Sequence, residues 1–193
     1  VREESLDFSG VSYSGKDAEK ARLQSAMEQF NQRTAAMAEN IRERVGQKES
    51  EILTGQIAML ADPFMVSQMH DAIEGGSCAE AAVDSVCNMY ADMFAAVEDE
   101  LMRQRATDIQ DIRTRLLSIL LGREGVDLSR LPAGSVLVAQ DLTPSMTVGL
   151  KKENVAAILT ATGGKTSHSA ILARALELPA VLSVQKVLDT VKD

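Results

Sequence analysis

A chain of 193 residues, 45% hydrophobic and 25% charged, has the size and composition of one or two globular domains, which excludes disorder along its whole length. Such a chain buries roughly two thirds of its unfolded surface, so its core needs neither disulfides nor a structural metal. Twenty Lys and Arg against 28 Asp and Glu give a formal charge of −8, and there are only four Phe, two Tyr and no Trp; that field disfavours nucleic acid and anionic lipid as partners.

The first 15 residues are polar and end in Ser14-Gly15. From about residue 18 to 45, Leu23, Met27, Phe30, Met37, Ile41 and Val45 recur at helical steps with polar residues on the other faces, which predicts a long amphipathic helix ending at Gly46. A second helix runs over 52–60 and is closed by Asp62-Pro63, where proline suits the first turn of the next. That third helix, through Val66, Met69 and Ile73, ends at Gly75-Gly76, and Ser77 with Glu80 forms a capping-box pattern for a fourth. The fourth carries Val83, Val86, Tyr90, Phe94 and Val97, and a fifth carries Leu101, Ile109, Ile112, Leu116 and Ile119 up to Gly122. Narrow apolar stripes and short connections predict an antiparallel bundle.

After Gly125 the period changes. Residues 136–139, 154–160 and 180–184 read as strands and 167–176 as a helix between the last two. This β-α-β grammar predicts parallel strands, with chemistry in the loop 161–167 between the second strand and the helix. Cys78 and Cys87 fall on opposite faces of one predicted helix, roughly 13 Å apart along its axis, and cannot pair within it. With no C-x-x-C, no leader and no apolar run of about 20 residues, the expectation is a reduced, soluble, cytoplasmic chain. Its first residue, Val1, suggests a piece of something longer.

In that loop Gly163, Gly164, Lys165, Thr166, Ser167 and His168 join two permissive glycines to a cation, two hydroxyls and an imidazole at a helix start. Amides of a helix N-terminus with Lys165, Thr166 and Ser167 can hold phosphate oxygens, and a neutral imidazole at His168 offers a nucleophilic nitrogen. The spacing is not that of a P-loop, which needs four residues between its first glycine and the Gly-Lys pair. A histidine that merely caps the helix is the competing reading, and spacing alone does not choose between them.

The longer stretch from Gly163 to Arg174, followed by Leu178-Pro179-Ala180-Val181, resembles the phosphohistidine signature of phosphoenolpyruvate-utilising enzymes. Asp141-Leu142-Thr143-Pro144-Ser145, Met59-Leu60 with Asp62-Pro63, and Arg105-Ala106, Asp108 and Asp111-Ile112 extend the resemblance to the N-terminal part of the enzyme I family of the bacterial phosphotransferase system, the phosphoenolpyruvate-protein phosphotransferases. The resemblance covers nearly the whole chain. It implies an α/β phosphohistidine domain of the swivelling type, 1–17 joined with 123–193 and truncated at both ends, into which an antiparallel α-helical bundle, 18–122, is inserted as the carrier-binding subdomain.

It also implies a relay. His168 accepts a phosphoryl group from phosphoenolpyruvate bound on a C-terminal domain outside this chain and passes it to a histidine of the carrier protein HPr. Thr143 is implied to hydrogen-bond near the histidine, with helix capping as its alternative; Arg174 is a secondary phosphate candidate, six residues on and about 120° around the helix, with a structural ion pair as alternative. Gln56, Met59, Leu60, Arg113 and Arg115 are candidate carrier contacts, against the reading that Met59 and Leu60 are bundle core. No cofactor or metal is expected in this chain, Mg2+ belonging to the absent C-terminal domain. The chain alone is expected to be monomeric and the whole protein a homodimer.

Four positions depart from the family pattern: Met146 and Ala161 where acidic residues are usual, Gln56 for a histidine and Gln110 for an arginine. They put the identity of the carrier in doubt without touching His168. The alternatives are a relay of the nitrogen-related phosphotransferase system, the phosphotransfer subunit of dihydroxyacetone kinase, a noncatalytic carrier-docking module and a plain helical scaffold.

Overall fold

The computed structural model describes residues 6–123, 128–165 and 167–191. Five helices come first: α1 (Lys16–Arg44), α2 (Gln47–Leu60), α3 (Pro63–Glu74), α4 (Ala79–Ala95) and α5 (Glu100–Leu120). The apolar period placed all five. It started α2 five residues late, because Gln47 to Glu51 are helix formers without apolar side chains. Asp62 caps α3 by accepting from the amides of Phe64 at 2.8 Å and Met65 at 3.3 Å, with Pro63 in the first turn.

The capping box expected at Ser77 and Glu80 does not form. Cys78 occupies the cap position with no side-chain hydrogen bond, and the buried Glu80 carboxylate is drawn instead to Arg22. The amide of Ala79 finds its acceptor on another helix, at Glu19 Oε2, 2.9 Å away. Glu19 is fully buried and also accepts from the amide of Ser14 at 2.9 Å and from Arg22 at 2.7 Å. Burial pushes this carboxyl up, but the amides of Ala79 and Ser14 and the Arg22 guanidinium outweigh it and hold it below the usual glutamate range.

A folded-state pKa below the unfolded one stabilises the fold above the unfolded value, and that contribution is lost as pH falls through the folded one. Glu19→Gln is therefore expected to lower unfolding free energy near pH 7 by about 1 to 3 kcal/mol, the cost of disturbing a buried charged hydrogen-bond partner. Urea titrations at several pH values check it: the gap between variant and wild type narrows as pH drops below about 4.

Two compact units emerge. Described residues 6–38 and 52–123 form the helical unit, while Glu39–Glu51 and the described residues from 128 on form the α/β unit. The expected boundaries at residues 17 and 122 differ from this at two places. Leu6 and Phe8 pack on the helical core, whose centre includes Phe30, Leu60, Met69, Ile73, Val83 and Ile112. The end of α1 joins the α/β unit because Arg44 donates to the carbonyls of Val148 at 2.9 Å and Leu150 at 2.6 Å. Residues 1–5 and 124–127, part of the expected α/β domain and its boundary, lie outside the described residues.

Val97 and Leu101, counted in the apolar stripes, are exposed, Leu101 to 71%; they flank the acidic turn between α4 and α5 rather than the core. Cys78 and Cys87 are free and buried, and burial pushes the Cys87 thiol up to about 12, so it stays protonated at neutral pH. Among the described residues no helix is long and apolar enough to cross a membrane.

The α/β unit is a three-stranded parallel sheet in the order β1-β2-β3, with β1 (Ser135–Ala139), β2 (Val155–Thr160) and β3 (Ala180–Val181). Its register sets Leu137 beside Ile158, Ala139 beside Thr160 and Ile158 beside Ala180. Helix α6 (Pro144–Thr147) follows β1, α7 (His168–Ala175) joins β2 to β3, and α8 (Val187–Thr190) comes last. Strand β3 is shorter than the expected 180–184, because Ser183 turns into the left-handed region at φ 59°. Leu137, Leu142, Leu150, Ile158 and Leu172 form this unit's core, with Met146 packed against it.

Candidate functional site

The candidate site lies where all three strands end. The loop after β2 leaves through Ala161 and Thr162, whose amides donate to the carbonyls of Ala139 at 3.0 Å and Gln140 at 2.9 Å. Gly163 then takes φ +99°, a conformation that favours glycine, and a Cβ there would press on Ser167 Oγ at 3.1 Å. Its carbonyl accepts from Ser183 Oγ, beyond β3, at 2.6 Å. Gly164 and Lys165 are exposed; Thr166 lies outside the described residues.

Ser167 is the N-cap of α7: its hydroxyl accepts from the amide of Ala170 at 3.3 Å and donates to the carbonyl of Gly164 at 2.9 Å. The cap reading thus falls on Ser167, one residue before the histidine. His168 opens the helix with its ring half-buried and its Nδ1 buried.

Thr143 sits half-buried before α6, makes no side-chain cap bond, and shares a 3.2 Å hydroxyl contact with Ser145. Asp141, from the same loop after β1, accepts from Ser169 Oγ at 2.5 Å and from the amide of Leu142 at 2.8 Å. Arg174 is exposed in the last turn of α7 and forms no ion pair among the described residues. Nor is any group of three or more His, Cys, Asp or Glu among them placed to hold a metal ion.

The family model for PEP-utilising enzymes, N-terminal, matches residues 3–105, more than half of the chain. The model for the mobile domain of PEP-utilising enzymes matches residues 131–193, histidine loop included. This chain belongs to the phosphoenolpyruvate-utilising enzymes. It is 38% identical over 189 residues, 97% of its length, to a phosphoenolpyruvate-protein phosphotransferase of Enterococcus faecalis, and 44% identical over 155 residues, 80% of its length, to one of Haloferax volcanii. It spans about a third of the length of these relatives: 33% of the first and 27% of the second.

Among solved structures it is similar to a solution structure of enzyme I, with a TM-score of 0.73, 33% identity, 94% of this chain and 74% of that one covered. It is also similar to the N-terminal domain of a nitrogen-type enzyme I, with a TM-score of 0.62, 25% identity, 89% of this chain and 70% of that one covered. The α/β unit with its helical partner is therefore the fold of enzyme I N-terminal domains.

The five residues expected to contact a carrier all lie in the helical unit of this member of the phosphoenolpyruvate-utilising enzymes and occupy unlike environments. Leu60 is 0% exposed and belongs to the core. Gln56 is equally buried; its amide donates to Asp111 at 3.0 Å and its carbonyl accepts from Arg115 at 3.1 Å. Arg115 lies over the Phe30 ring at 4.2 Å and donates to Thr34 at 2.6 Å. Arg113 is bound to Asp84 on α4, its Nε at 2.7 Å. These four are engaged inside the bundle, whereas Met59 is half-buried beside Arg105 at 3.9 Å. The unusual Gln110 pairs with Asn88 at 3.0 Å.

What sequence reading missed is the exposed apolar surface: Phe64 at 77%, Leu101 at 71%, Met93 at 60% and Met102 at 47%. Phe64 follows the Asp62-Pro63 turn, and Leu101 and Met102 lie one turn before Arg105, which touches Met59. The available signal was Phe64 itself, an aromatic in a first helical turn where no stripe position falls.

Proposed function

We propose that the chain is the phosphoryl relay of a phosphoenolpyruvate-protein phosphotransferase, with Nε2 of His168 as the nucleophile. The observation that carries this is the placement of a histidine with a buried Nδ1 at the first residue of α7, beyond the carboxyl end of β2, within the segment matched by the mobile domain of the family. The neutral tautomer protonated on Nδ1 keeps the Nε2 lone pair available. In-line attack forms the P–N bond and breaks the bond from phosphorus to the enol oxygen of phosphoenolpyruvate, which leaves as the enolate of pyruvate. A carrier imidazole then attacks from the opposite side and restores the neutral ring.

Lys165, exposed at the mouth of the loop, is assigned to the phosphoryl oxygens, and the backbone at Gly163 and Gly164 leaves room for them. The phosphoenolpyruvate site, its Mg2+ and the dimer contact are assigned to the remaining two thirds of the relatives' length, and the location to the cytoplasm. Transfer from a phosphorylated HPr-type carrier onto the chain tests the relay without that remainder. The chain should gain one acid-labile phosphoryl group by intact mass, and a chain that gains none ends the proposal.

The carrier is assigned to Met59, Phe64, Leu101 and Met102, since exposed Met and aromatic side chains beside an arginine suit a docking centre. Phe64→Ser is expected to weaken carrier binding about tenfold or more and leave thermal stability unchanged, because the ring is 77% exposed. Isothermal titration with the carrier reads the first and a melting curve the second.

A further inference from the structure

Ser169 is 0% exposed and follows directly on His168 in the first turn of α7. Its hydroxyl reaches out of the helix to Oδ1 of Asp141 at 2.5 Å, a residue 28 positions earlier in the chain. The same Oδ1 accepts from the amide of Leu142 at 2.8 Å, and that amide lies 3.4 Å from Ser169 Oγ. A Cβ built on Gly163 would stand 3.6 Å from this oxygen. One carboxylate oxygen thus gathers the loop after β1, the first turn of α7 and the edge of the glycine turn.

Such a bond fixes more than the serine. An α-helix turns 100° per residue as a rigid unit, so holding residue 169 at one rotation fixes the direction of the Cα–Cβ bond of residue 168. Asp141 itself points to a hydroxyl and an amide, the partners expected of an acceptor, and its negative charge would repel a phosphoryl dianion rather than bind it. We infer that Asp141 and Ser169 form a latch that aims the His168 imidazole, Asp141 acting as a positioning residue through Ser169 without touching the phosphoryl group. The inference rests on the relay reading of His168.

The latch predicts a loss of rate without loss of carrier affinity, since misplacing a reacting group by about 1 Å costs on the order of a hundredfold. The experiment is single-turnover phosphoryl transfer from a phosphorylated HPr-type carrier to the chain, over a range of carrier concentrations. Asp141→Ala and Ser169→Ala should each lower the saturating rate about ten- to a hundredfold at unchanged half-saturating carrier concentration. The double variant should be no slower than the worse single one, because the two residues make one bond. Asp141→Asn keeps the acceptor oxygen and removes the charge, and should recover most of the rate.

Wild-type rates in a folded Ser169→Ala chain would overturn the latch, and so would an Asp141→Asn chain as slow as Asp141→Ala, which assigns the effect to charge. If Asp141→Ala does not fold, the Ser169→Ala and Asp141→Asn arms decide alone. A wild-type chain that accepts no phosphoryl group sinks the relay reading and the latch with it. A wild-type chain that accepts it at the same rate as both alanine variants sinks only the latch.

Discussion

His168→Ala is expected to abolish phosphoryl transfer to this chain entirely, leaving its fold and its carrier binding intact. The competing acceptors are hydroxyls, and the described ones around the loop are already committed. Thr160 donates to the carbonyl of Thr162 at 2.6 Å, Thr162 to that of Gln140 at 2.9 Å, Ser167 to that of Gly164, Ser183 to that of Gly163, and Ser169 to Asp141. An alcohol also needs a base to become a nucleophile at neutral pH, whereas a neutral imidazole does not. Because the ring is half-buried at a helix start and not in the core, its removal costs little stability. The check is intact mass after exposure to phosphorylated carrier, before and after acid treatment. An adduct of equal stoichiometry on the variant, or an acid-stable adduct on the wild type, would move the chemistry to a hydroxyl.

Much of this site was legible because it is local. Residues 163–168 are contiguous, and a strand, a glycine turn and a helix start place them without any long-range information. What was hidden came from elsewhere in the chain. Asp141 was visible only as part of a matching stretch, since its partner Ser169 is 28 residues away and no local pattern pairs them. Ser183 gave no signal at all: it lay in an expected strand, and the structure shows it in a turn whose hydroxyl holds the carbonyl of Gly163.

In the helical unit, periodicity located every helix but could not tell which polar residues were interior. Glu19, Gln56, Glu80 and Asp111 are all buried, each paid for by a partner on another helix or segment, and a stripe rule that counts only apolar residues sets them outside. The same rule placed Leu101 and Val97 inside, where the acidic turn 98–100 in fact lifts both to the surface. Among the carrier candidates the expected exposure reverses at Gln56 and Leu60, named as surface contacts and fully buried, and at Arg115, whose guanidinium is engaged inside the bundle.

Arg115 tests the reversal most sharply. Its guanidinium stacks on Phe30 at 4.2 Å, donates to Thr34 at 2.6 Å and to Gln56 at 3.1 Å, and so ties α5 to both α1 and α2. Burial holds its pKa below the usual arginine value, with Asp111 acting against that shift, but an arginine so lowered still carries its charge at neutral pH. Arg115→Ala removes the cation–π contact, worth about 1 to 2 kcal/mol when desolvated. It also leaves the Gln56 carbonyl without its donor, at about 1 to 3 kcal/mol for a buried polar group. The expected loss is about 2 to 5 kcal/mol, measured as a fall in the urea midpoint at unchanged slope. Arg115→Lys should recover little, because a single ammonium cannot stack on the ring while serving two acceptors set apart by the planar fork. At temperatures where the variant remains folded its affinity for the carrier should equal that of the wild type. A loss of affinity with no loss of stability would return Arg115 to the docking surface.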